Sequence, residues 1–407
     1  MKLGTPGFIG LRLREAREAR GLTQMSLAEI LGLTRAAVSS YEAAERSPSP
    51  EVMQRISDVL KMPASYFRYK IRERKPGIIF FRSMQAATNL ARRRAEQRYT
   101  WLREIVSYLR SHVQFPTTRL PNLEVPDDLL ALPFNQIDRL AMEARRFYNL
   151  GDDPVPSVVS LLESNGVIIA RDELGADTLD AFSEYDSAEN SLYMFLGTEN
   201  AAAVRSRFDA AHELGHALLH RTVDVSTFTH PTKHSLLEKQ AHRFAAAFLL
   251  PEASFCNEFY SATIESLVAI KSKWKVSVAM MIMRAQDLGF VSEDGAKKLW
   301  IAYSRRKWRC SEPLDDKLIP EQPKLLRRCF DLLFEKRIIT KEHLLMHIPL
   351  ACSDLERLAG LDEGFLSGKS GDCEQPIIAL NVDTANRQPS QKPSGGGLIL
   401  QFPKKIG

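Results

Sequence analysis

Residues Phe208–His220, FDAAHELGHALLH, constrain this chain more than any other stretch. His212 and His216 stand four residues apart. On a helix that spacing puts both imidazoles on one face, where they can share one metal ion. Glu213 then lies beside the ion. Phe208, Ala211, Gly215, Leu218 and Leu219 give the other side an apolar surface for a core. The stretch therefore demands a helix packed inside a domain. A chain of 407 residues has room for about two to four domains.

A catalytic zinc needs three protein ligands and one open position for water. The chain has nine histidines in 407 residues. A chance His-Glu-x-x-His is then rare, on the order of one in a hundred such chains. Glu213 is too close in sequence to ligate alongside both histidines, so it points at the water. It can accept the water's proton and pass it to a leaving amine. For the third ligand, spacing favours Glu238 on a second helical stretch lined by Ala241, Phe244, Ala245 and Phe248. His242, one turn further on, and His234 are rivals. Ser235-Leu236-Leu237-Glu238 also reads as a capping box, which would give Glu238 a purely local role. Two imidazoles and a carboxylate suit zinc, with manganese as the alternative. His242, His220 and Tyr193 are candidates to sit behind the ligands or to stabilise an oxyanion.

At the other end, residues 6–68 are punctuated as short helices. Ile9–Arg20 has Leu13 and Ala16 inward, and Gly21 ends it. Thr23 and Thr34 read as N-caps on either side of Gly32, with Leu27, Ala28 and Leu31 apolar on the second helix. Val38 and Tyr41 face inward from the third helix. Pro50 opens a fourth, striped by Val52, Ile56, Val59 and Leu60. Two short helices around a glycine turn, within a small bundle, make a helix-turn-helix.

Residues 69–133 read as a basic helical connector and linker. Between Arg68 and Arg98 ten Lys/Arg stand against two Glu, despite a net charge of only +5. Ile78–Ser83 reads as extended. Met84–Leu109 reads as a solvent-facing spacer helix with an intermittent apolar stripe at Ala91, Ala95, Trp101, Leu102, Ile105 and Leu109. A role against DNA backbone or in dimerisation is its alternative. Residues 134–300 form the metal-site domain. It has helices at Asn135–Tyr148 and up to Glu163, and strands at Val167–Ala170, AFSEYD and SLYMFLG. A helical region, 301–366, is expected to pack on that domain, with Leu325, Cys329, Leu332, Leu333 and Ile338 as core. A poorly ordered tail, 367–407, follows, with a short strand at Leu398–Phe402. Five scattered cysteines without a C-x-x-C pair argue against a disulfide framework or a thiolate zinc site. No apolar run approaches the ~18 residues of a membrane span. A cytoplasmic protein is the default expectation.

Two resemblances sharpen this. GLTQMSLAEILGLTRAAVSSYEAAERSPSPEVMQRISDVL resembles the DNA-binding domain of phage-repressor-type (XRE-family) regulators. The resemblance implies that the third helix enters the major groove. Arg35, Ala36, Ser39 and Ser40 would read bases and Gln24 would contact backbone. It also implies a homodimer on a double-stranded DNA operator. FDAAHELGHALLH followed by EKQAHRFAAAFLLP resembles the ImmA/IrrE family of zinc-dependent metallo-endopeptidases, over roughly Asn135–Trp300. That resemblance implies metal on His212, His216 and Glu238, catalysis by Glu213, and a repressor-type protein as substrate, itself or a partner. The fold class expected is multidomain: an all-α helix-turn-helix bundle, then a mainly helical α+β, zincin-like metallopeptidase domain with a small sheet. The alternative function is a repressor or antitoxin-like regulator whose peptidase domain is only a sensor or scaffold. A non-haem iron oxygenase would also use two histidines and a carboxylate, but it has no need of Glu213.

Overall fold

The computed structural model describes residues 4–71, 78–80, 88–126, 128, 132–175, 180–198, 202–221, 223 and 230–368. The tail from residue 369, with the strand expected at Leu398–Phe402, lies outside the described residues. So do residues 81–87, which hold the end of the extended IIFFRS stretch and the expected start of the connector helix.

The chain begins with four helices, α1 (Gly10–Ala19), α2 (Gln24–Leu31), α3 (Arg35–Glu42) and α4 (Pro50–Leu60). Their boundaries follow from side-chain caps. Thr23 Oγ1 accepts from the Ser26 amide at 3.0 Å and Thr34 Oγ1 from the Ala37 amide at 3.2 Å. Each cap satisfies an amide that the first helical turn leaves unpaired. Ser49 does the same ahead of Pro50. Gly32 ends α2 in the left-handed region, φ 62°, where a side chain would be strained. Leu13, Ala16, Leu27, Val38, Ile56 and Leu60 are buried between the helices. A 3₁₀ turn at Tyr66–Arg68 closes the bundle over Tyr66 and Phe67.

A four-stranded sheet lies at the centre, in the order β1 (Ile78–Phe80), β3 (Ala181–Asp186), β4 (Ser191–Gly197), β2 (Ile168–Asp172). β1 and β4 run antiparallel to β3, and β2 runs parallel to β4. Strands β2 to β4 are buried on both faces; β4 and the start of β2 are apolar accordingly, while β3, AFSEYD, buries Ser183, Glu184 and Asp186. Ile168, Ala170, Phe182, Tyr193 and Phe195 face one core. Ile169, Leu192, Met194 and Leu196 face another.

The first core differs from the sequence expectation. Helix α5 (Asn89–Arg110) was expected to face solvent. Instead it runs through the middle of that core, with Tyr99, Trp101, Leu102, Ile105, Val106 and Leu109 buried. On one side it packs on α1, and on another on the sheet. The third partner is the C-terminal helices α14 (Leu325–Glu335), α15 (Lys341–His347) and α16 (Cys352–Ala359). Apolar residues must therefore point several ways around α5, which blurs a single stripe. Buried ion pairs pin the contacts: Arg12 with Glu104 at 2.7 Å, Arg20 with Asp354 at 2.8 Å, and Arg98 with Asp172. The C-terminal helices thus join the helix-turn-helix, α5 and the back of the sheet. They were expected to pack on the 134–300 domain, and they do reach its strand β2 and Glu163, but they also bridge to Arg20 and α5. Within them Ile338 is 43% exposed and Ile339, at 3%, takes the core position.

The second core holds the remaining helices. They are α6 (Phe134–Phe147), α7 (Val158–Ser164), α8 (Ala203–Leu219), α9 (Pro231–Leu249), α10 (Glu252–Glu258), α11 (Ile264–Trp274), α12 (Val278–Asp287) and α13 (Glu293–Arg305). Among the described residues no helix is long and apolar enough to cross a membrane.

Candidate metal centre and DNA-reading surface

Helix α8 lies between the sheet and α9. Gly215 permits the close approach of α9: a Cβ there would fall 3.1 Å from Phe244 Cδ1 and 3.3 Å from the Ala241 carbonyl oxygen. At this closeness the histidine face of α8 meets the carboxylate face of α9. His212 Nε2 lies 2.9 Å from His216 Nε2. Glu238 reaches both, its Oε2 3.7 Å from His212 Nε2 and its Oε1 3.3 Å from His216 Nε2. In a tetrahedral zinc site with bonds of 2.0–2.1 Å, donor atoms stand about 3.3 Å apart. The three donors fit that group. His212, Glu238 and His242 also bring ligand atoms within 4.8 Å of one another.

α9 begins at Pro231, with His230 as its N-cap residue. Ser235 is therefore inside the helix, and the capping-box role for Glu238 does not arise. The Glu238 side chain is 17% exposed, while His212 and His216 are buried. His234 Nε2 lies 3.7 Å from Glu238 Oε1, one turn before it. The His242 ring stands nearly perpendicular to that of His212, centroids 4.7 Å apart. Its Nδ1 meets the Glu238 carbonyl at 3.1 Å.

His220 does not face the donors. It lies behind His216, its Nδ1 2.9 Å from His216 Nδ1 and its Nε2 3.0 Å from Gln240 Oε1. Burial first, and then the nearby His216, push its pKa well below the ordinary histidine value. A neutral His220 that donates from Nε2 to Gln240 must accept at Nδ1. The His216 proton then sits on Nδ1, and its Nε2 lone pair points at His212 and Glu238. This chain of contacts would orient His216 as a metal ligand in the way partners behind metal-bound histidines do. It leaves His220 no access to an oxyanion. Tyr193 is also out of reach. It faces the α5 side of the sheet and donates its hydroxyl to Glu189 at 2.6 Å.

Glu213 is buried and accepts a hydrogen bond from the Ser183 hydroxyl at 2.6 Å. Ser183 and Gln240 were not singled out by the sequence. Ser183 did carry a signal, since with Ala181 and Tyr185 it occupies the α8-facing side of β3, where a polar side chain needs a partner.

On the helix-turn-helix, Arg35, Ala36 and Ser39 are exposed at the start of α3 and Ser40 is half-buried. Gln24 donates to Glu42 Oε2 at 2.8 Å, and Arg17 donates to both oxygens of that carboxylate, at 2.5 and 3.0 Å. A cleft of about 780 Å³ runs from Gln24, Arg35 and Ser39 to Asn89 and Arg93 on α5.

Comparison with known families agrees with this division. Residues 13–67 match the helix-turn-helix family model. Residues 163–286 match the model of the M78 peptidases, described as an IrrE N-terminal-like domain. The second match lies inside the Asn135–Trp300 span expected from sequence. No curated protein matches the chain.

Proposed function

We propose that this chain, a helix-turn-helix module joined to an M78 peptidase-like domain, is a DNA-binding transcriptional regulator that cuts a repressor-type protein. The observation that carries the peptidase half is the convergence of His212, His216 and Glu238 at 2.9–3.7 Å beside a buried Glu213. His212, His216 and Glu238 would hold the metal, zinc by donor chemistry and manganese as the alternative. When bound, such an ion polarises a peptide carbonyl and makes a water acidic at neutral pH.

The protein groups do the rest. Glu213 takes the proton from the attacking water and returns it to the leaving amine. Ser183 holds one oxygen of Glu213. The His220–Gln240 pair sets the tautomer of His216. His242 donates from Nδ1 to the Glu238 carbonyl, so in its protonated form its Nε2 would donate to a developing oxyanion.

For the DNA half, Arg35, Ala36, Ser39 and Ser40 read base edges from the exposed start of α3, and Gln24 contacts backbone. One module reads a half-site, so a homodimer on a pseudo-palindromic operator is the working assembly. The substrate is found by comparing new protein N-termini in cells that express the wild type and Glu213→Gln. Fragments of a helix-turn-helix repressor, or of this chain, should appear only with the wild type. The same fragments in both would reject the assignment.

A further inference from the structure

Strand β1 (Ile78–Phe80) comes from the connector, and it closes the edge of the sheet nearest Glu213. It runs antiparallel to β3, with Ile78 opposite Tyr185, Ile79 opposite Glu184 and Phe80 opposite Ser183. In such a pair, facing Cα atoms stand about 4.5–5.5 Å apart. Ser183 is the residue whose hydroxyl donates to Glu213 at 2.6 Å. The backbone of Phe80 thus lies beside the residue that holds the proposed catalytic base. Helix α8 packs on β3 and β4, so the β1 edge is the one close to the histidine helix.

A peptidase must hold its substrate as an extended backbone beside the reacting groups. A sheet edge can do this with its own row of N–H and C=O groups, which pair with an added strand. This sheet offers two places for such a strand. One is the outer side of β2, which is separated from β3 by β4. The other is the outer side of β3, and β1 fills it. Its position in the chain is a second, independent argument. The helix-turn-helix match ends at residue 67 and the peptidase match begins at residue 163. The chain passes from one module to the other once, and β1 lies on that passage.

We propose that β1 is a substrate strand of the α8–α9 centre, and that the chain cuts itself there, in cis, at the Ile79–Phe80 bond. This rests on the peptidase reading of that centre and names its substrate. Water supplies the atoms. Its oxygen bonds to the Ile79 carbonyl carbon, and the bond from that carbon to the Phe80 nitrogen breaks. Glu213 takes a proton from the water and passes it to the Phe80 nitrogen. The products are a carboxylate at Ile79 and an amine at Phe80. The DNA-reading module is then no longer covalently joined to the rest. It stays attached only through contacts such as Arg12 with Glu104 and Arg20 with Asp354, which can dissociate.

The test uses the full chain, prepared without metal and then given zinc. Wild type should split in two, the larger piece with Phe80 as its new amino terminus, at a rate unchanged by dilution. Glu213→Gln should stay whole. Hydrogen exchange reads the seat of β1 without any cutting. In metal-free Glu213→Gln, the β3 amides that face β1 should be protected. Adding Ile79→Pro and Phe80→Pro removes whichever N–H of the pair faces β3, and that protection should be lost. A synthetic peptide of residues 74–84 should restore it. Protection unchanged by the two prolines overturns the inference. So does a new terminus other than Phe80, or a splitting rate that rises with concentration. If wild type cuts a mixed peptide library yet stays whole, self-cleavage falls and the peptidase reading stands. If it cuts neither, both fall.

Discussion

Helices α5 and α8 are both long, and both lie buried against the same sheet, on opposite faces. α8 carries its constraint within itself. Histidines four apart, a glutamate between them and a glycine at the crossing tell where it must lie and what it must meet. α5 carries almost none. Its partners come from residues 10–19, 168–195 and 325–359, and its apolar residues are shared out among them. Function concentrated in one helix leaves a short pattern in sequence. Structural work divided among distant partners leaves a diffuse one.

That contrast makes testable demands, the largest at the α8–α9 site. Removing a direct donor, as in His216→Ala, should weaken zinc binding by more than the ~10–100-fold typical of losing a partner behind a ligand. Gln240→Leu, which disturbs only such a partner, should fall within that lesser range. Competitive chelator titrations measure both. Equal losses from the two variants would erase the distinction between donor and support. On α5, Trp101→Ala should destabilise by about 3–5 kcal/mol, because the side chain is fully buried. Arg93→Ala, half exposed on the same helix, should cost under about 0.5 kcal/mol. Chemical denaturation reads both values. A small cost for Trp101→Ala would return α5 to the role of a spacer.

On the DNA surface, Arg35→Ala should lose about 1–3 kcal/mol of operator affinity and relax preference at one base position. Gln24→Ala should weaken binding uniformly across sequences. Binding measured on an operator set with single substitutions separates the two.

The smallest effect is a pH dependence in the core around α5. Burial would raise the Asp354 pKa, but the hydrogen bond and charge of Arg20, with Arg98 and Arg357, outweigh it and hold the carboxyl below its ordinary range. A pKa lowered in the folded state contributes stability above the unfolded value of about 3.9 and loses it as pH falls through the folded one. Wild type should therefore melt higher than Asp354→Asn at neutral pH, and the gap should close below about pH 4. A gap that widens on acidification would contradict this ion pair.

Much of the fold was legible. Caps and glycines placed the helices of the first 60 residues to within a residue or two, because the signals are local. Strands β2 to β4 were legible, β2 as the apolar run Val167–Ala170 and β3 and β4 as AFSEYD and SLYMFLG. The contacts made across the fold were not. Ser183 meets Glu213 only because β3 crosses α8. His220 and Tyr193 looked equivalent to His242 as donors until the fold put one behind His216 and the other on the far side of the sheet. The place of the C-terminal helices depends on α5, which was itself read as exposed. Ile338 and Ile339 show the same limit at single-residue scale, since either can face inward until the turn before α15 is fixed.

The most direct test of the account combines metal content and peptide cleavage on the same samples. Full-length wild type and Glu213→Gln, loaded with zinc, are assayed against a mixed peptide library. The account predicts equal metal content at His212, His216 and Glu238, with cleavage products from wild type and none above background from Glu213→Gln. Cleavage by Glu213→Gln at the wild-type rate would contradict it.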